Sequence, residues 1–218
     1  MALKTENSMN RWIQSMETQM QAQRGQLQAR DPLQIAQICG AEWESMAPGE
    51  GRLSLMFLQT PLAVHVPDYT VLAADGSEVP TLTQGIVTAY LLTTSAAQRA
   101  GEWITFRELP NGLFYHQAFT GYTGNVLART LGNDLEAFKR GAETADGHAL
   151  TGFGDAAYEF RVLPRIWIAV AYWLGDEEDG FPAQANVLFD RAASSYLITD
   201  GLAILASQLI GRIIGRKR

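Results

Sequence analysis

Between Ile166 and Leu174 the chain is almost wholly apolar, and it then runs into Gly175-Asp176-Glu177-Glu178-Asp179-Gly180-Phe181-Pro182. A short apolar run closed by turn residues reads as a strand buried on both faces. The glycines and carboxylates form the turn, and Ala185 to Phe189 supplies an antiparallel partner on the way back. A buried hairpin of this kind demands cover on both sides, which the rest of the chain must provide.

The remaining pattern supplies it. Apolar side chains at Met9, Ile13, Met16 and Met20 fall on one stripe of an amphipathic helix spanning about residues 6–29. A second helix is predicted from Asp31-Pro32, where the carboxylate caps and the proline loses no bond, through Leu33, Ile35 and Ile38 to Gly40. From Arg52 to Ala74 the period drops to two, which predicts a three-stranded meander, and Thr81 to Thr94 returns to helical spacing across that sheet. Residues 102–119 read as extended chain with a turn at Pro110-Asn111-Gly112, followed by short helices at Asn125 to Leu131 and Asp134 to Gly141. Tyr158, Phe160 and Val162 alternate as a strand, and Thr199 to Ile214 closes the chain as a helix capped by Thr199 or Asp200. Hairpins with helices before, between and after them predict an α+β fold, with a mainly antiparallel sheet and flanking helices. The expected organisation is a helical extension over residues 1–30 and a single domain over residues 31–218.

Composition narrows the class. With 218 residues, 47% hydrophobic and 18% charged, the chain can bury a sizeable core. A net charge of −6 and the absence of a basic stripe argue against nucleic acid as partner. No run approaches the ~20 apolar residues of a bilayer span, so no integral membrane segment is expected. The lone cysteine, Cys39, can form no disulfide within the chain and no all-cysteine metal site, which suits a cytoplasmic protein.

Candidate chemistry is scattered. Asp176 and Glu178 are the weak metal candidates of the acidic turn, sharing a face by strand alternation while Glu177 and Asp179 point to solvent. The turn fits no EF-hand spacing, and a solvated loop tip is the alternative. Trp103, Arg107 and Glu108 crowd one segment, where the Arg107 guanidinium could clamp a ligand carboxylate or phosphate or simply pair within the fold. Tyr115 and His116 follow among aromatics, and Trp173 precedes the acidic turn. His116 is the best placed of the three histidines, since His65 takes the outward parity between Val64 and Val66 and His148 stands alone; a satisfied core histidine is the bland reading. Cys39 falls at a helix end and should be inert. The last helix, with Leu202, Leu205, Leu209 and Ile213 on one face and a basic end, fits either a core helix or an anionic membrane surface.

The ordered motifs Cys39-Gly40-Ala41-Glu42-Trp43, Gly101-Glu102-Trp103-Ile104-Thr105-Phe106-Arg107-Glu108-Leu109-Pro110, Leu163-Pro164-Arg165, Trp173-Leu174-Gly175-Asp176-Glu177-Glu178, Phe181-Pro182-Ala183 and Val187-Leu188-Phe189-Asp190 resemble the domain-of-unknown-function family 3786 from about Pro32 to the last helix. The resemblance implies a soluble domain, found largely in anaerobic bacteria and archaea. Some members carry an added cysteine-rich iron-sulfur segment of the type seen in corrinoid proteins, from which this chain departs, because residues 1–30 contain no cysteine. It transfers no catalytic residue.

The first expectation is therefore a non-enzymatic binding or accessory module for a small molecule, a cofactor of unknown identity or a protein partner, with a corrinoid or iron-sulfur link implied by the resemblance alone. The second is a metal-dependent hydrolase joining the acidic turn to His116. The third is an interaction protein, a homo-oligomer included, that docks through the stripe in residues 9–20.

Overall fold

The computed structural model describes residues 17–176, 178 and 180–216. The chain is α+β and divides into two compact units, residues 1–56 with 60–96, and residues 57–59 with 97–218. Met9, Ile13 and Met16 of the expected stripe lie outside the described residues, as do Glu177 and Asp179.

In the first unit residues 17–28 form helix α1, with Met20 and Leu27 buried one two-turn interval apart. Helix α2 (Pro32–Cys39) starts and stops as its sequence dictates: Asp31 accepts from the Leu33 N–H at 3.0 Å, and Gly40 adopts φ 70°. The sheet has four strands rather than three, in the order β1 (Glu42–Ala47), β2 (Glu50–Phe57), β3 (Thr60–Val66) and β4 (Thr70–Ala73). β1 escapes a reading by alternation because none of its residues is buried. It is a polar edge strand, the form in which exposed edges are tolerated. His65 is half-buried on β3. Helix α3 (Thr81–Leu91) packs on β4 with Ile86, Val87, Tyr90 and Leu91 inward. The Tyr90 hydroxyl donates to the Cys39 carbonyl at 2.5 Å, and the Cys39 thiol, fully buried, lies 3.5 Å from the Tyr90 carbonyl. Arg30 donates to the carbonyls of Leu91, Leu92 and Thr93 at 2.9–3.3 Å, so a cation satisfies the open end of α3.

The second unit carries a five-stranded antiparallel sheet ordered β5 (Trp103–Thr105), β9 (Gln184–Asp190), β8 (Ile166–Trp173), β7 (Ala156–Leu163) and β6 (His148–Leu150). β8 is central and buried on both faces: Ile168, Val170 and Tyr172 point one way, Ala169 and Ala171 the other, all at or below 1% exposure. Helix α6 (Leu135–Thr144), capped by Asp134, sets Phe138 on the ring of Tyr172 with centroids 4.8 Å apart. Helix α7 (Thr199–Ile213) buries Leu202, Leu205, Leu209 and Ile213, so its apolar face is spent inside the unit rather than on a membrane surface. Neither expected residue caps it. Ile198 occupies that position, and the Thr199 hydroxyl donates to the Pro110 carbonyl at 2.5 Å.

The largest correction falls on residues 102–119. Only Trp103–Thr105 are strand; a 3-10 turn covers Phe106–Glu108 and helix α4 covers Gly112–Tyr122. The run Leu113-Phe114-Tyr115 has the composition of a strand, but tertiary packing overrides it. Phe119 stacks on Phe106 with centroids 4.0 Å apart and planes 7° apart, which requires α4 to fold back on the turn. Asn111 makes the reversal in the left-handed region at φ 61°, and a side chain on Gly112 would collide with the Phe106 carbonyl. Among the described residues no helix is long and apolar enough to cross a membrane.

Candidate functional site

Strand β5 pairs with β9 only at Leu188, Phe189 and Asp190. Past Thr105 the chain turns away, and Ala185 to Val187 are left without a strand on that side. The start of helix α5 (Gly124–Leu131) fills part of the gap: Gly124 packs against the Ala185 carbonyl so closely that no side chain fits there. What remains is a cleft of about 210 Å³, lined by Arg107, His116, Thr105, Thr120 and Asn186 over the rings of Phe106 and Phe119.

Three features give it chemistry. Arg107 is exposed and has no hydrogen bond or ion pair to any other described residue. His116 is half-buried, and its Nδ1 lies 2.9 Å from the Leu113 carbonyl. A carbonyl can only accept, so Nδ1 carries the proton and Nε2 is left for another partner. Thr123 donates its hydroxyl to the Phe119 carbonyl at 2.6 Å instead of capping α5, so that helix opens at the cleft with no side-chain cap. A guanidinium and an uncapped helix start on one cleft favour negative charge, and the imidazole adds an acceptor beside them.

A second cleft of about 340 Å³ shares Asn186 with it and is otherwise lined by Trp173, Leu174, Asp176, Phe181, Pro182 and Gln184. Hydrogen bonds tie the described residues of its turn. Asn133 accepts from the Gly175 N–H at 2.7 Å and donates to the Gly175 carbonyl at 3.3 Å, while Asp155 accepts from the Leu174 N–H at 2.7 Å. Asp176 accepts from the Glu178 N–H at 2.9 Å, and its carbonyl accepts from Phe181 at 2.8 Å. Gly175 is obligatory here, because a Cβ would lie 2.5–2.8 Å from the backbone of Phe181, Pro182 and Ala183.

The sequence candidates therefore separate. Arg107 and His116 share the first cleft; Trp173 and Asp176 share the second. Trp103 stands elsewhere on the sheet beside Arg99, whose guanidinium lies 4.1 Å from the Trp167 ring centre and 5.5 Å from that of Trp103. Tyr115 projects from α4 at 62% exposure, and Glu178 is exposed on the turn. Among the described residues no group of three or more His, Cys, Asp and Glu could hold a metal. Asn186, Gln184, Thr120 and Phe181 are cleft residues that sequence reasoning missed as site residues. The alternation of Gln184 and Asn186 with Ala185 and Val187 is the signal that marks the two amides as facing outward together.

Glu108 belongs to the scaffold of the first cleft. The Thr105 N–H and hydroxyl both donate to it at 2.8 Å, closing a capping box that holds its carboxyl below the usual range. A lowered folded pKa contributes stability above the unfolded value of about 4.3, and that contribution is lost as pH falls through the folded value. In an NMR titration Thr105→Val, which keeps one of the two bonds, should move the Glu108 midpoint upward toward the ordinary value.

These features define an α+β protein of two antiparallel sheets with a paired cleft at the edge of the second. Residues 31–212 match the family model described as Domain of unknown function (DUF3786), and the chain belongs to that family. The match runs through both compact units. No curated protein and no solved structure matches the chain.

Proposed function

We propose that the chain is a binding module that takes up a small anionic ligand, a carboxylate or phosphate, in the cleft bounded by Arg107, His116 and Asn186. The observation that carries this reading is the Arg107 guanidinium, which has no partner among the described residues although Glu102 and Glu108 lie close by in sequence. Glu108 is engaged by Thr105 and Glu102 by Arg191, at 2.5 and 2.6 Å, so both neighbouring carboxylates are occupied. Arg107 is thereby kept for something else. A guanidinium binds a carboxylate or phosphate through two parallel hydrogen bonds, the Asn186 amide adds a donor beside it, and His116 Nε2, an acceptor in this tautomer, suits a phosphate oxygen that carries a proton.

Inorganic phosphate titrated into isotopically labelled protein tests this. The backbone amides of Thr105, Arg107, Gly124 and Asn186 should shift together and saturate along one isotherm. Shifts scattered over the surface, or none, would sink the proposal.

A metal-dependent hydrolase joining His116 to the acidic turn has less support, since His116 and Asp176 line different clefts. A partner-docking role for residues 9–20 has Met20 against it, which is already buried within the first unit. The corrinoid version rests on family resemblance alone. It requires a perturbed visible spectrum when the purified protein is mixed with a corrinoid.

A further inference from the structure

We propose that the two clefts act as one elongated site for a ligand that joins an anionic group to an amino-substituted aromatic ring, the chemistry of an adenine nucleotide. This deepens the anion-binding reading of the Arg107 cleft and rests on it. Asn186 lines both clefts, so a ligand that occupies both passes over its side chain at the edge of β9 left open beyond Thr105.

The ends of this site differ in sign. Arg107 stands at one end and Asp176 at the other, so an anionic group is attracted to the first and repelled from the second. The orientation of a polar ligand follows from that alone. At the acidic end the walls are aromatic: Trp173 is half-buried, and Phe181 is 63% exposed, an apolar surface with no cover of its own. Rings so placed accept a flat ligand by stacking. Gln184 and Asn186 alternate along the strand on one face, about 7 Å apart at two strand residues. Gln184 lies opposite Trp173 in the register with β8, beside the ring wall, and Asn186, opposite Ala171, also lines the Arg107 cleft. Each amide offers a donor and an acceptor, the pair needed to read a ring edge carrying nitrogen. The Asp176 carboxylate, an acceptor only when ionised, suits an amino substituent. The second cleft, at about 340 Å³, falls in the range of small-molecule sites.

Isothermal titration calorimetry with adenosine monophosphate, ribose 5-phosphate, adenosine and inosine monophosphate tests the proposal. The adenine nucleotide should bind at least tenfold more tightly than ribose 5-phosphate, and inosine monophosphate, which lacks the amino group, should bind more weakly than its adenine counterpart. Phe181→Ala, at an exposed position, and Trp173→Leu should each weaken the nucleotide while leaving ribose 5-phosphate unaffected. Equal affinity for the nucleotide and ribose 5-phosphate would overturn the ring site and leave the anion site standing. Adenosine binding as tightly as its monophosphate would overturn the anion site and with it the joined ligand, and no binding by any of the four would overturn both.

Discussion

Asp190→Ala is expected to destabilise the second unit by about 3–5 kcal/mol, the scale of removing one partner from a buried, fully bonded charge. Asp190 is 2% exposed, yet its carboxylate is saturated: it accepts from the backbone N–H groups of Ala100, Gly101 and Ala192 at 3.0, 2.7 and 2.9 Å. The Arg99 Nε stands 3.8 Å away. One side chain therefore ties the segment entering β5 to the end of β9 and to the 3-10 turn that follows. Alanine leaves three N–H donors without an acceptor, each costing about 1–3 kcal/mol if it stays dry. Asn keeps the shape and one acceptor oxygen, so Asp190→Asn should lose less than half as much. Urea unfolding reads the difference as a shifted midpoint at constant slope. A loss under about 1 kcal/mol for the alanine variant would mean that water replaces the carboxylate, contrary to a buried clasp.

Gly124→Ala is the second large effect, and it couples stability to the cleft. The new Cβ would overlap the Ala185 carbonyl, a backbone group fixed by the pairing of Ala185 with Tyr172 across β8 and β9. Neither α5 nor β9 can yield without giving up hydrogen bonds. Overpacking of this kind costs about 1–3 kcal/mol, and the shift it forces lies on the wall of the Arg107 cleft. Gly121→Ala provides the control. It sits in α4 with nothing within 4 Å of its would-be Cβ, and it should be stabilising by up to about 1 kcal/mol from helix propensity. If both substitutions behaved alike, close approach at Gly124 would not be what positions α5.

The contrast between what the chain makes legible and what it hides follows the range of the forces. The β8–β9 hairpin, the caps at Asp31 and Asp134 and the buried stripe of α7 are local, and period and turn chemistry display them directly. β1 was missed because an unburied edge strand carries no alternation. α4 was missed because its helical state is decided by the Phe106–Phe119 stack, thirteen residues apart, against a strand-like composition. For the site, Arg107, His116 and Trp173 could be singled out as reactive or aromatic types, but their division between two clefts depends on where β5 stops pairing with β9. Asn186, the residue common to both clefts, has no motif of its own.

Arg107 is the centre of the proposed anion site, and calorimetric titration of inorganic phosphate into the wild type and into Arg107→Met is the decisive measurement. A charge-assisted hydrogen-bonded contact is worth about 1.5–3 kcal/mol, so the variant should bind phosphate roughly ten- to hundredfold more weakly. Its urea midpoint should not move, because Arg107 has no partner among the described residues to lose. Unchanged phosphate affinity in a folded Arg107→Met protein would rule out Arg107 as the anion-binding group.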